Sequence, residues 1–108
     1  MSDGFNQIVS DKLKKNNYPA WKSRMNTFLK GKGYWDYVDG DNKEAPKTPE
    51  QNATTEQKKA LKEWQQGQSK VMYWLSMSIT NSMMGYLQDA ENPAIAWRNL
   101  GRVFEVNT

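Results

Sequence analysis

Five carboxylates between Asp36 and Glu50 come nearest to a chemical motif in this chain. Asp39, Asp41 and Glu50 stand at the first, third and twelfth positions of a calcium-binding EF-hand loop. Lys43 then falls on the fifth position, which needs an oxygen ligand, and Glu44 on the sixth, which needs a turn glycine, so calcium is not expected. Asp36, Asp39 and Asp41 have the groups for acid–base work, but they border a polar loop where carboxylates are normally solvated. Gly31-Lys32-Gly33 lacks the first glycine and the Ser/Thr of a phosphate-binding loop, and reads better as a helix stop. The chain has no His and no Cys, which rules out disulfides, zinc held by imidazole or thiolate, and the commonest general base. Ser and Thr are scattered, with no Gly-x-Ser-x-Gly setting. The expectation is a protein that is not an enzyme, with no cofactor and no metal.

The elements that must carry such residues begin at Asn17. Pro19 suits the first turn of a helix, where its missing N–H has no intrahelical partner. Trp21, Met25, Phe28 and Leu29 then recur as one apolar face, with Lys22, Ser23, Arg24, Asn26 and Lys30 largely between them. Gly31 and Gly33 close the helix, and Tyr34, Trp35, Tyr37 and Val38 form an aromatic knot read as one further turn folded back on it. Ahead of this helix, Phe5, Ile8, Val9 and Leu13 give residues 1–16 the character of an N-terminal arm or short helix. Residues 17–108 are expected to form one helical domain, with an acidic, Pro-containing surface loop at 39–53. Pro46 and Pro49 prevent helical pairing within that loop.

Thr54 and Gln57 have the spacing of a capping box. Leu61, Trp64, Val71, Met72, Leu75 and Ile79 follow as a helical stripe of about 25 residues, roughly 38 Å long, expected to cross the domain as its central pillar. Gly67 costs this helix about 1 kcal/mol relative to Ala, which predicts a close neighbour or a slight bend there. Gln68 interrupts the stripe and Tyr73, Trp74 and Met77 thicken it, which favours a bundle over an exposed coiled coil. Thr80, Asn81 and Ser82 start a short helix through Met83, Met84, Tyr86 and Leu87. Asn92 and Pro93 then cap a last helix whose apolar face includes Ile95, Ala96, Trp97, Leu100, Val103 and Phe104.

A chain of 108 residues suits a single core, and its five Trp, five Tyr and three Phe argue against disorder. Burial of a Trp stabilises by roughly 4–6 kcal/mol, so three or four of the five belong inside. Trp21, Met25, Phe28, Leu29, Trp35, Leu61, Trp64, Val71, Leu75, Ile79, Trp97, Leu100 and Phe104 are the expected core. Tyr18, Tyr34, Tyr73, Met83, Met84 and Tyr86 are left as an apolar surface on which a partner can bind. The net charge is +3, unevenly spread. Seven Lys or Arg against two Asp give the residues through Gly33 a charge of +5, whereas Tyr34 to Ala53 carries −3. That basic lead allows weak nucleic-acid contact, although a solvated helix face accounts for it as well. No run of residues resembles a signal peptide or reaches a membrane span, so a cytoplasmic protein is expected.

The order Asn17-Tyr18-Pro19-Ala20-Trp21, a basic amphipathic helix, then Gly33-Tyr34-Trp35-Asp36-Tyr37-Val38 resembles the start of Gag polyproteins from copia-type LTR retrotransposons. Leu75-Ser76-Met77-Ser78-Ile79 and Ala96-Trp97-Arg98-Asn99-Leu100 to Phe104-Glu105 are similar to residues at corresponding places in such Gags. The resemblance implies an all-α fold, a compact bundle of about five helices forming the N-terminal half of a retroelement capsid, with more capsid sequence following Thr108. It implies a structural function: self-association, with the rest of Gag, into a virus-like particle enclosing the element's RNA. Lys22, Arg24, Asn26 and Lys30 on the first helix are the candidate self-association surface. The zinc knuckle with which copia-type Gags typically bind RNA has no counterpart here, so RNA contact should be weak. Two alternatives remain open: a domesticated Gag lobe binding a hydrophobic peptide or protein, and a weak basic RNA-binding helical domain. A membrane partner is not expected.

Overall fold

The computed structural model describes residues 4–105, and among them it is all-α. Six α-helices follow in order: α1 (Phe5–Ser10), α2 (Tyr18–Lys32), α3 (Asp36–Asp39), α4 (Thr55–Met77), α5 (Gly85–Gln88) and α6 (Pro93–Phe104). A 3-10 turn at Asn81–Met83 precedes α5. Of the expected aromatic knot, Tyr37 and Val38 lie in α3, a single turn, and Tyr34 and Trp35 lead into it.

Local chemistry sets the boundaries. α2 begins with Tyr18 and Pro19 in its first turn and ends at Gly33, whose φ of 82° is the left-handed conformation a helix-terminating glycine adopts. The Gly33 and Tyr34 amides then return to the Leu29 and Lys30 carbonyls. α4 starts with the full capping box: the Gln57 amide donates to the Thr54 hydroxyl at 3.0 Å, and the Thr54 amide donates to the Gln57 side chain at 2.8 Å. α6 starts with Asn92 accepting from the Ile95 amide at 3.0 Å.

The core forms where α2, the second half of α4 and α6 meet, with α1 and α3 closing its sides. Trp21 is 1% exposed, and Met25, Leu29, Val71, Leu75, Ala96 and Leu100 are fully enclosed. Phe28 packs on Phe5 of α1 at 5.1 Å between ring centres, and edge-on to Trp74 of α4 at 5.0 Å. Trp97 of α6 stacks on Trp21 at 5.5 Å and receives Trp35 edge-on at 5.2 Å. Trp74, absent from the expected core, is buried because Phe28 and Tyr34 both meet its ring. Leu13, between α1 and α2, pairs with the end of α4: its amide donates to the Ser78 carbonyl at 2.8 Å, and its own carbonyl accepts the Thr80 amide at 3.0 Å. The Trp21 indole donates to the same Ser78 carbonyl at 3.0 Å.

Two expectations about α4 need correction. The helix has 23 residues, about 35 Å at 1.5 Å per residue, but its buried positions, Gly67, Val71, Trp74 and Leu75, all lie in the second half. It is a core helix over its second half only, while its first half meets the acidic loop and α3 through Trp64. Leu61 and Trp64 are accordingly half-exposed and outside the central cluster. The body is elongated, 50 × 36 × 23 Å, with a radius of gyration of 15.3 Å against about 13 Å for a compact chain of this length. Trp35, Trp97 and Phe104 are also only half-buried, but they pack directly against the core from α3 and α6. Gly67 has the close neighbour that its position predicts. A Cβ there would lie 2.1 Å from the Tyr37 hydroxyl oxygen.

Candidate interaction surfaces

The outward face of α2 is open to solvent. Pro19, Ala20, Ser23, Arg24, Thr27, Lys30 and Gly31 are all exposed along it. They follow from amphipathic spacing, since Trp21, Met25, Phe28 and Leu29 turn the opposite side inward. Furrows run on both sides. One, of about 560 Å³, lies against α1 and is lined by Gln7, Ile8, Arg24 and Phe28. The other, of about 480 Å³, lies against the end of α6 and is lined by Tyr18, Lys22, Asn26 and Phe104. Ser23 and Thr27 line both, so they form a low ridge between two grooves.

The structure does not join Lys22, Arg24, Asn26 and Lys30 into one patch. Lys22 and Asn26 are half-buried on the α6 side, where Lys22 pairs with Glu105 and lies over the Tyr18 ring at 5.8 Å. Arg24 points to the α1 side and pairs with Asp11 at 3.2 Å. Lys30 sits over the Trp35 ring at 5.5 Å. Three of the four side chains are therefore engaged within the chain. The small residues between them were not singled out by charge or size. Their signal was the spacing of Ala20, Ser23, Thr27 and Gly31 along one side of an amphipathic helix.

The six residues expected to form an apolar partner surface also separate. Tyr18 is 5% exposed, because α6 folds across the start of α2 and brings Phe104 onto its ring at 4.9 Å. Burial, reinforced by the neighbouring Glu105 carboxylate, pushes the Tyr18 phenol up to about 12. Met83 is 8% exposed, because the 3-10 turn points it into the core. Tyr34 is half-buried between Tyr37, stacked at 5.7 Å, and the Trp74 edge at 5.2 Å. Tyr73, Tyr86 and part of Met84 remain at the surface, with Tyr73 57% and Tyr86 39% exposed. Tyr73 and Met84 border a groove of about 320 Å³ between α4 and α5, completed by Met72 and Leu87.

No group of three His, Cys, Asp or Glu among the described residues is placed to hold a metal ion. No helix among them is long and apolar enough to cross a membrane. The described residues thus form helices around one aromatic core, with open furrows beside an exposed helix. Residues 3–47 match the family described as Gag-polypeptide of LTR copia-type, and over that stretch, α1 through α3 into the acidic loop, the chain is similar to those polypeptides. The resemblance at Leu75–Ile79 and Ala96–Glu105 lies beyond the matched residues. Neither the curated proteins nor the solved structures compared with the chain give a match.

Proposed function

We propose that this chain is a structural Gag domain that self-associates, with the rest of its polyprotein, into a particle enclosing retroelement RNA. The match of residues 3–47 to copia-type Gag carries the reading, because the matched stretch contains α2 and its open outer face. The low Ser23–Thr27 ridge flanked by grooves suits a second helix, whose side chains can enter the furrows on either side. Contacts of this kind need not be strong, since many weak copies acting together hold an assembly. The role is structural rather than catalytic and cytoplasmic, and RNA contact through this domain is weak and salt-sensitive.

The test is mass against concentration by light scattering, for this chain and for one extended into following Gag sequence. Growth with concentration is expected, and Ser23→Arg with Thr27→Arg should reduce it while helical content stays unchanged. Monomers in both chains at millimolar protein and low salt would refute the reading. A second reading, a lobe gripping an apolar peptide, is favoured by the groove beside the exposed Tyr73 ring. It predicts thermal stabilisation by a Leu- and Phe-rich peptide that Tyr73→Lys abolishes.

A further inference from the structure

The acidic loop and the first half of α4 border an open cavity of about 320 Å³ outside the surfaces described above. Its walls are the Tyr37 and Trp64 rings, and Asp41, Glu44 and Glu63 stand around it. The walls are fixed: the Trp64 indole donates to the Asn42 carbonyl at 2.8 Å, and Tyr37 packs over Gly67. Neither Asp41 nor Glu44 forms an ion pair among the described residues, and Glu63 meets only Lys59, one turn away on the same helix at 3.9 Å. Two aromatic faces with nearby carboxylates suit an ammonium or guanidinium group.

The complementary group occurs in the same chain at the opposite pole. Lys12, Lys14 and Lys15 cluster between α1 and α2, with Lys14 and Lys15 exposed and without ion pairs among the described residues. Leu13, fully buried between Lys12 and Lys14, anchors this corner to Ser78 and Thr80 at the end of α4. α2 separates the corner from α3 and the loop by its 15 residues, roughly 22 Å. The corner therefore cannot reach the cavity of its own chain.

We propose that the Tyr37–Trp64 cavity receives the Lys14–Lys15 corner of a second copy, making a head-to-tail contact distinct from the α2 face. The proposal rests on the self-association reading and adds to it a second interface. One contact repeated in one direction makes a ring or a filament, whereas a closed shell needs a further contact in another direction. Because its charged groups are exposed, the contact is weak and fades with salt.

The test uses two variants, Lys14→Gln with Lys15→Gln, and Asp41→Asn with Glu44→Gln, studied by sedimentation velocity at low salt. Each alone should dissociate on the order of tenfold more readily than the parent chain. Mixed one to one, with Ser23→Arg and Thr27→Arg in both to silence the α2 face, they should recover association that stops at a pair, because one variant keeps the cavity and the other keeps the corner. Association of both variants at the parent's strength would overturn this contact while leaving self-association standing. Weakened variants that form no pair when mixed would overturn it as well. A parent chain that stays monomeric at every salt would overturn this contact, and an extended chain that stays monomeric as well would overturn the self-association reading itself.

Discussion

Gly67→Ala should destabilise the protein even though alanine is the better helix residue. On propensity alone the change favours α4 by about 1 kcal/mol. The new methyl, however, would lie 2.1 Å from the Tyr37 hydroxyl oxygen and 2.3 Å from Cζ. Ordinary carbon contacts lie at about 3.5–4.0 Å, so the ring must move by more than an ångström. Tyr37 stacks on Tyr34 at 5.7 Å and leans on Trp64 at 6.5 Å. Each aromatic contact is worth about 0.5–1.5 kcal/mol, and overpacking typically costs about 1–3 kcal/mol. The net expectation is a loss of about 1 kcal/mol, or a fall in Tm of roughly 4–8 °C. In a Tyr37→Ala background the obstruction is gone, and Gly67→Ala should stabilise by about 1 kcal/mol. Urea titrations of the four chains, followed by circular dichroism, give the coupling directly, expected near 2 kcal/mol. A Gly67→Ala change that stabilises both backgrounds equally would refute the packing argument.

Tyr18 offers a pH test. Its phenol is raised to about 12 in the fold, against an ordinary value of 10.0, so folding favours the protonated form. That stabilisation is complete below pH 10 and is lost as pH rises toward 12, amounting to no more than about 2 kcal/mol after solvent screening. Alkaline titration of stability should therefore be shallower for Tyr18→Phe, and equal slopes would count against the burial. Thr54→Ala removes the capping box and should cost about 1 kcal/mol; since the first half of α4 lies outside the core, faster hydrogen exchange over residues 55–60 should be the main sign. Trp21→Phe loses the indole bond to Ser78 and part of the ring volume, and a loss of about 2 kcal/mol in urea titration is expected, with the Ser78 carbonyl still satisfied by the Leu13 amide.

Much of this fold was legible because its signals are local. The Thr54–Gln57 box, Asn92 before Pro93 and Gly33 after α2 each mark a helix boundary by hydrogen bonding or backbone freedom within a few residues. The buried face of α2 likewise follows from spacing alone. Periodicity gives the inward side of a helix, but not how much of its length has something to pack against. Leu61 and Trp64 keep the α4 stripe, yet the core ends before reaching them. Tyr18 and Met83 were misplaced for the converse reason, since α6 and the 3-10 turn reach them from distant sequence. The candidate surfaces were less legible still. Lys22, Arg24 and Lys30 read as solvated cations until Glu105, Asp11 and the Trp35 ring stand beside them, and only then do Ser23 and Thr27 emerge as the free part of α2.

The bond between Leu13 and Ser78 has a consequence for how the chain comes off the ribosome. The two residues are 65 positions apart, and the same carbonyl also receives the indole of Trp21. Bringing ends that distant together costs on the order of 4 kcal/mol of chain entropy before any contact offsets it. During synthesis α1 and α2 emerge long before Ser78, with Trp21, Phe28 and their neighbours lacking the α4 surface that covers them. A nascent chain arrested before Ser78 has left the ribosome should therefore present that aromatic face to chaperones or to other nascent copies on the same message, and emergence of α4 and α6 should withdraw it.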